Sequence, residues 1–218
     1  MGDYINQADT SFDVWCLRFD VHSDDWALNV GRWALKVEGR NLHIQEKHMS
    51  NDLTAEEVRT LLKLEPHATC GFVRVTFVSN QRIAPGGLPA PFLDGRPVGS
   101  ALYFMVTPEA PVRLHRIRND QLYHRYLGDP IEVLMLHENG ASERVIVGPD
   151  IGAGQRVQLL IPGNTFHTAR VIGQRRWFLG ASTEWPGVEK VDVEIGDVEA
   201  LAARYPDVAD DLRAFQRG

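Results

Sequence analysis

Apolar and polar residues alternate in short runs through most of this chain. From residue 71 onward each run has the length and β-branched or aromatic content of a strand: 72–79, 100–106, 112–118, 122–126, 131–137, 143–147, 156–161, 167–171 and 177–183. Turn chemistry separates the runs, as at Gly128-Asp129-Pro130, Glu138-Asn139-Gly140, Gly148-Pro149-Asp150, Gly152-Ala153-Gly154 and Pro162-Gly163-Asn164. No helical period intervenes, so the pattern predicts an antiparallel sandwich or barrel and excludes a parallel sheet with crossover helices.

The first half reads differently. Residues 12–21, 32–37 and 41–45 are rich in strand formers. Thr54-Ala55-Glu56-Glu57 is a capping box, and Val58, Leu61 and Leu62 follow at helical spacing. A helix is expected over 54–63, stopping before Pro66. Residues 83–98, rich in Pro and Gly, form a long loop of the kind used as a lid or binding loop. A short helix capped by Asp197 is expected over 197–204.

Composition narrows the function. The chain has 218 residues, 44% of them hydrophobic, with a net charge of −6. That charge argues against nonspecific nucleic-acid binding. No run approaches the roughly 18 apolar residues of a membrane span. The start, MGDYINQADTSFD, lacks the basic and apolar regions of a signal peptide. The two cysteines, Cys16 and Cys70, make neither a C-x-x-C pair nor a disulfide framework. A reduced, cytoplasmic protein is expected. Phosphate-loop, dinucleotide, G-x-S-x-G and H-E-x-x-H motifs are all missing from the sequence.

Two polar clusters stand out. One reads His115-x-Ile117-x-x-x-Gln121-x6-Gly128, the other Pro162-Gly163-Asn164-Thr165-Phe166-His167. A histidine and an amide on paired strands, with a second histidine returned by a Pro-Gly turn, can hold a metal or a small polar ligand. The spacing resembles the two motifs of the cupin superfamily, H-x-H-x(3,4)-E-x6-G and P-x-G-x-x-H. Two ligand positions differ: Ile117 stands for the second His and Gln121 for the Glu. Further stretches resemble one branch, the cupin five family of unknown function. They are Leu64-Glu65-Pro66-His67 with Gly71-Phe72, the strand at 99–104, and Leu114-His115-Arg116 with Asp120-Gln121-Leu122-Tyr123-His124. Gly128-Asp129-Pro130, Gln158-x-x-Ile161-Pro162, Trp185-Pro186-Gly187 and Arg204-Tyr205-Pro206 complete the set. The likeness covers about residues 54–207. Its Pro-Glu-Gly is Ala68-Thr69-Cys70 here, so an acidic residue is lost at Thr69 as well as at Gln121.

The resemblance implies an all-β cupin double-stranded β-helix, a jelly-roll barrel, with a short helix before the barrel and a short C-terminal helix. It implies a strand-rich extension over 1–50, a cupin domain over 51–207 and a tail over 208–218. A homodimer is expected, with N-terminal strands extending one sheet or pairing between subunits.

Three functions compete for the barrel pocket, all with a small-molecule ligand and none with nucleic acid or membrane. The first is an isomerase or epimerase moving a proton on a polar, carbohydrate-like or carbonyl-bearing compound. His115 would be the base, and Tyr103 or Tyr123 the acid. Arg113, Gln158, Phe166, His67 and Arg74 would bind substrate, with Arg113 sharing the face of His115 by its two-residue spacing. The second is a metal-dependent dioxygenase or lyase holding Fe, Ni, Mn or Zn on His115, Gln121 and His167. The third is a non-catalytic binder, motivated by the two missing carboxylates. His124 lies three residues after Gln121, which sends it to the opposite face. Gly128 and Gly163 read as turn glycines at positive φ.

Overall fold

Thr54 begins the first helix as the sequence demands. In the computed structural model, which describes residues 53–215, its hydroxyl accepts from Glu57 N and Glu57 Oε2 accepts from Thr54 N. Helix α1 (Ala55–Leu62) ends on Lys63 in the left-handed conformation, φ 53°. The strands predicted over 12–21, 32–37 and 41–45, and the N-terminal extension they belong to, lie outside the described residues.

Thirteen strands follow: β1 (Glu65–Pro66), β2 (Phe72–Val78), β3 (Arg82–Ile83), β4 (Arg96–Pro97), β5 (Ser100–Val106), β6 (Val112–Ile117), β7 (Asp120–Gly128), β8 (Ile131–Leu136), β9 (Ser142–Val147), β10 (Gln158–Ile161), β11 (Phe166–Val171), β12 (Phe178–Trp185) and β13 (Val193–Ile195). One sheet runs in the order β1-β2-β5-β12-β7-β10, the other β13-β6-β11-β8-β9, and β3-β4 form a separate hairpin. The ladders joining named strands are all antiparallel. This is the expected jelly-roll barrel. Its interior is packed by alternate residues from both sheets, among them Phe104, Val106, Tyr123 and Phe178 from one and Val112, Ile131, Val133 and Met135 from the other.

Part of each outer face is also covered. Met105, Trp177 and Leu179 pack with Val58 of α1. On the second sheet, Leu114, Leu134, Leu136 and Phe166 pack with helix α2 (Val198–Arg204), capped by Asp197, and helix α3 (Ala209–Phe215). Helix α3 lies in the stretch read from sequence as a tail. Its Leu212 and Phe215 are buried, and their spacing of three places both on one helix face.

The 83–98 loop is not free along its length. It carries β3 and β4, and Arg96 is fully buried at its end. Arg96 donates to both oxygens of buried Asp192, at 2.9 and 2.7 Å, and also pairs with Asp94. The connection between β12 and β13 is thereby tied to the hairpin. Gly128 has φ +82°, and a Cβ there would sit 2.3 Å from Trp177 O. Gly163 differs from expectation. The positive φ of that turn falls on Asn164, at 63°, while Gly163 is needed because a Cβ would meet Arg118 O at 2.4 Å.

Candidate active site

One end of the barrel opens into a cavity of about 240 Å³. Its walls come from β2, β5, β6, β7 and β12, the 67–70 loop before β2 and the connection to β13. His115 on β6 is buried there. Its Nδ1 lies 2.7 Å from the Arg113 carbonyl oxygen and donates to it, so Nε2 carries the lone pair. Cys70 Sγ approaches that Nε2 to 4.0 Å. Burial is the main cause that lowers the His115 pKa, to about 4; the Arg113 carbonyl opposes it and His67 adds to it. His115 is neutral at pH 7.

His67, exposed at the mouth, also lines the cavity. Its Nδ1 accepts from the Thr69 hydroxyl at 3.2 Å, and the same hydroxyl lies 3.3 Å from Cys70 Sγ. Burial raises the Cys70 thiol to about 11 and lowers His67.

The carboxylate missing at Thr69 and Gln121 is supplied from a third strand. Glu184 on β12 is buried, lines the cavity, and stands opposite Gln121 on β7 and Ser100 on β5 in the ladders. Its oxygens accept from the Ser100 hydroxyl, at 2.6 Å, and the Ser182 hydroxyl. Burial raises its pKa, and the two hydroxyls oppose the rise. Gln121 lines the cavity too, and its buried Oε1 has no hydrogen-bond partner among the described residues. The sequence reading ended this strand at residue 183, one short of Glu184. Alternation from Phe178 through Gly180 and Ser182 is the signal that places Glu184 on the inner face.

His167 sits behind His115, paired with it across β11 and β6, with ring centroids 4.3 Å apart. Its Nδ1 donates to Thr165 O at 3.2 Å and its Nε2 accepts from the Tyr123 hydroxyl at 3.0 Å. Burial and the neighbouring His115 hold His167 well below the usual imidazole range, and burial holds Tyr123 well above that of a phenol. This arrangement does not fit the metal set read from the sequence. His115 and Gln121 each keep a lone pair, but that of His167 is engaged by Tyr123, and Ile117 offers none. Among the described residues no group of three or more His, Cys, Asp and Glu is placed to hold a metal ion.

The remaining sequence candidates lie elsewhere. Tyr103 is on the outer face of β5, packed in the α1 cluster and edge-on to Tyr126 at 6.0 Å. Phe166 faces the C-terminal helices, under the Arg116 guanidinium. Arg113 does not share the face of His115. The register shifts between His167 and Ala169 against His115 and Val112, so β6 bulges by one residue; Arg113 becomes exposed and reaches Ala68 O. Arg74 is exposed and donates to Leu62 O. Gln158 is exposed and donates to His124 Nδ1, while His124 Nε2 meets Thr183 Oγ1; this pair stands on the outer face, as the parity of His124 requires.

Residues 56–196 match the family described as Cupin superfamily (DUF985), and the chain belongs to it. A hypothetical protein from Leishmania major is similar in structure, with a TM-score of 0.67 and 25% identity over 75% of this chain and 98% of that one. A protein from Shewanella oneidensis is comparable, with a TM-score of 0.66 and 24% identity over 75% of this chain and 97% of that one. No curated protein matches the sequence. No helix among the described residues is long and apolar enough to cross a membrane.

Proposed function

We propose that this cupin-superfamily chain is a proton-transfer enzyme of the isomerase or epimerase kind, acting on a small carbonyl-bearing compound in the barrel cavity. The observation that carries the reading is the pair of buried titratable groups lining it. His115 is a neutral imidazole with Nε2 unprotonated, and Glu184 is a carboxyl whose burial favours its protonated form. Environments that push an acid and a base in these directions mark out acid and base roles. Glu184 takes the acid role that the sequence gave to Tyr103 or Tyr123.

The step balances simply. His115 Nε2 takes the proton from the carbon next to the carbonyl, and Glu184 gives its proton to the carbonyl oxygen. The product is a neutral enol, with imidazolium and carboxylate left behind. The imidazolium then gives its proton to the former carbonyl carbon while the Glu184 carboxylate takes the proton of the neighbouring hydroxyl, which becomes the new carbonyl, and both groups are back in their starting forms. A base as weak as His115 needs the developing enolate stabilised as the C–H bond breaks, which the Glu184 proton does.

The reading is tested by incubating the full chain with small hydroxyketones in D2O and following carbon-bound deuterium by NMR. Uptake that disappears in His115→Gln supports it. Uptake unchanged in that variant removes it. Elemental analysis of chelator-free protein covers the metal-dependent alternative: stoichiometric Fe, Ni, Mn or Zn lost in His167→Ala would replace proton transfer by that chemistry. A ligand recovered unchanged, with no deuterium, from every compound that binds would replace it by the non-catalytic binder.

A further inference from the structure

The cavity lining is mixed. Val75, Val78, Leu102, Ile117, Val188 and Val193 contribute to it, and the surface it offers a ligand is predominantly apolar. His115, Gln121 and Glu184 are polar groups set among them. Among the described residues no tyrosine, phenylalanine or tryptophan lines it. Tyr103, read from the sequence as a candidate acid, and Phe166, read as substrate-binding, belong to the outer clusters.

This lining discriminates. A sugar carries a hydroxyl on nearly every carbon, and each one laid against valine or leucine loses its water hydrogen bonds without replacement. An anionic head would lose its hydration with little to replace it: among the described residues no arginine lines the cavity, and the lysine that does, Lys190, is exposed. The lining does hold acceptors. The lone pair of His115 Nε2 has only the Cys70 thiol near it, at 4.0 Å, and Gln121 Oε1 is buried without a partner among the described residues. A neutral head that donates hydrogen bonds supplies what both lack. The volume, about 240 Å³, lies below the roughly 300–1,000 Å³ of drug-sized sites.

We infer that the cavity selects a small amphipathic molecule: a neutral, hydroxyl-bearing head on His115, Gln121 and Glu184, and an aliphatic body against the valine, leucine and isoleucine side chains of the lining. Sugars and free carboxylates are excluded. The inference rests on the cavity proposed above as the reaction site, and narrows its substrate to a hydroxyketone with an alkyl tail.

The test is a set of dissociation constants for the full chain, measured by ligand-detected NMR. The probes are isobutyl hydroxymethyl ketone, its O-methyl ether, isocaproate, dihydroxyacetone and glucose. The expected result is that the isobutyl hydroxyketone binds at least about tenfold more tightly than each of the others, as the loss of one buried hydrogen bond or of the apolar body requires. Gln121→Met should weaken the hydroxyketone about tenfold and leave the methyl ether within about twofold. Glucose or isocaproate binding as tightly as the hydroxyketone overturns the inference, and so does an ether that loses nothing. Turnover plays no part in this readout. Intact selectivity without deuterium uptake would remove the proton-transfer reading and keep this one; uptake on glucose would do the reverse.

Discussion

Glu184 stands opposite Gln121 in the ladder between β12 and β7, so a carboxyl and an amide from neighbouring strands share the cavity wall. The sequence lacks an acid where the resemblance expects one, and the fold brings another to the adjacent position. Glu184→Gln keeps the shape and removes the proton. The expected loss in deuterium uptake is about 10²–10⁴-fold. Stability should move the other way. Burial raises the folded pKa above the unfolded value of 4.5. The Glu184 contribution to stability therefore falls as pH rises from 4.5 to the raised folded pKa and is flat beyond it. Glu184→Gln lacks that fall, so urea titrations at acid and neutral pH should show the variant gaining on wild type toward neutral pH.

His115 has the opposite linkage. Its folded pKa of about 4 lies below the unfolded 6.5, so the unfolded chain binds the extra proton between those values. Stability is full above pH 6.5 and is lost as pH falls toward 4. The contribution is about 3 kcal/mol over the window. His115→Gln should flatten the dependence by about that much in urea unfolding at several pH values, leaving the part due to His167, which burial and the neighbouring His115 lower.

Tyr123→Phe removes the hydroxyl that satisfies His167 Nε2 at 3.0 Å. A buried acceptor left unpaired costs about 1–3 kcal/mol. The measurement is the denaturant midpoint of the variant against wild type, and an unchanged midpoint would show that the bond contributes nothing.

The ion pair of Arg96 and Asp192, both fully buried side chains, ties the hairpin to the connection that supplies Val188, Glu189 and Lys190 to the cavity. Arg96→Met leaves buried Asp192 with Arg118, 4.0 Å away, as its remaining cation, at a cost of up to about 3–5 kcal/mol. The double change Arg96→Met with Asp192→Leu should recover most of that loss. A double-mutant cycle in urea checks it, and strictly additive losses would mean that the pair is not coupled.

Much of the barrel was legible because its strands keep strict alternation and their turns carry Gly, Pro and Asn. His115, Gln121 and His67 were legible from motif spacing. Arg113 was misplaced because a one-residue bulge in β6 reverses parity, and nothing in Val112-Arg113-Leu114-His115 announces it. Glu184 was missed because the strand was ended one residue early, although Ser182-x-Glu184 on an apolar strand carries the alternation. Helix α3 was read as a tail because its apolar face, Leu212 and Phe215, is too short for a clear period. That Tyr123 engages His167 is invisible in any spacing, since the two lie on different sheets and meet only when these pack face to face.

The most direct test of the central claim compares deuterium uptake from D2O into a small hydroxyketone by wild type, His115→Gln, Glu184→Gln and the double variant. If base and acid act as one unit, each single change lowers uptake about 10²-fold or more and the double falls little below the worse single. Uptake that survives in either single variant at the wild-type rate would contradict the account.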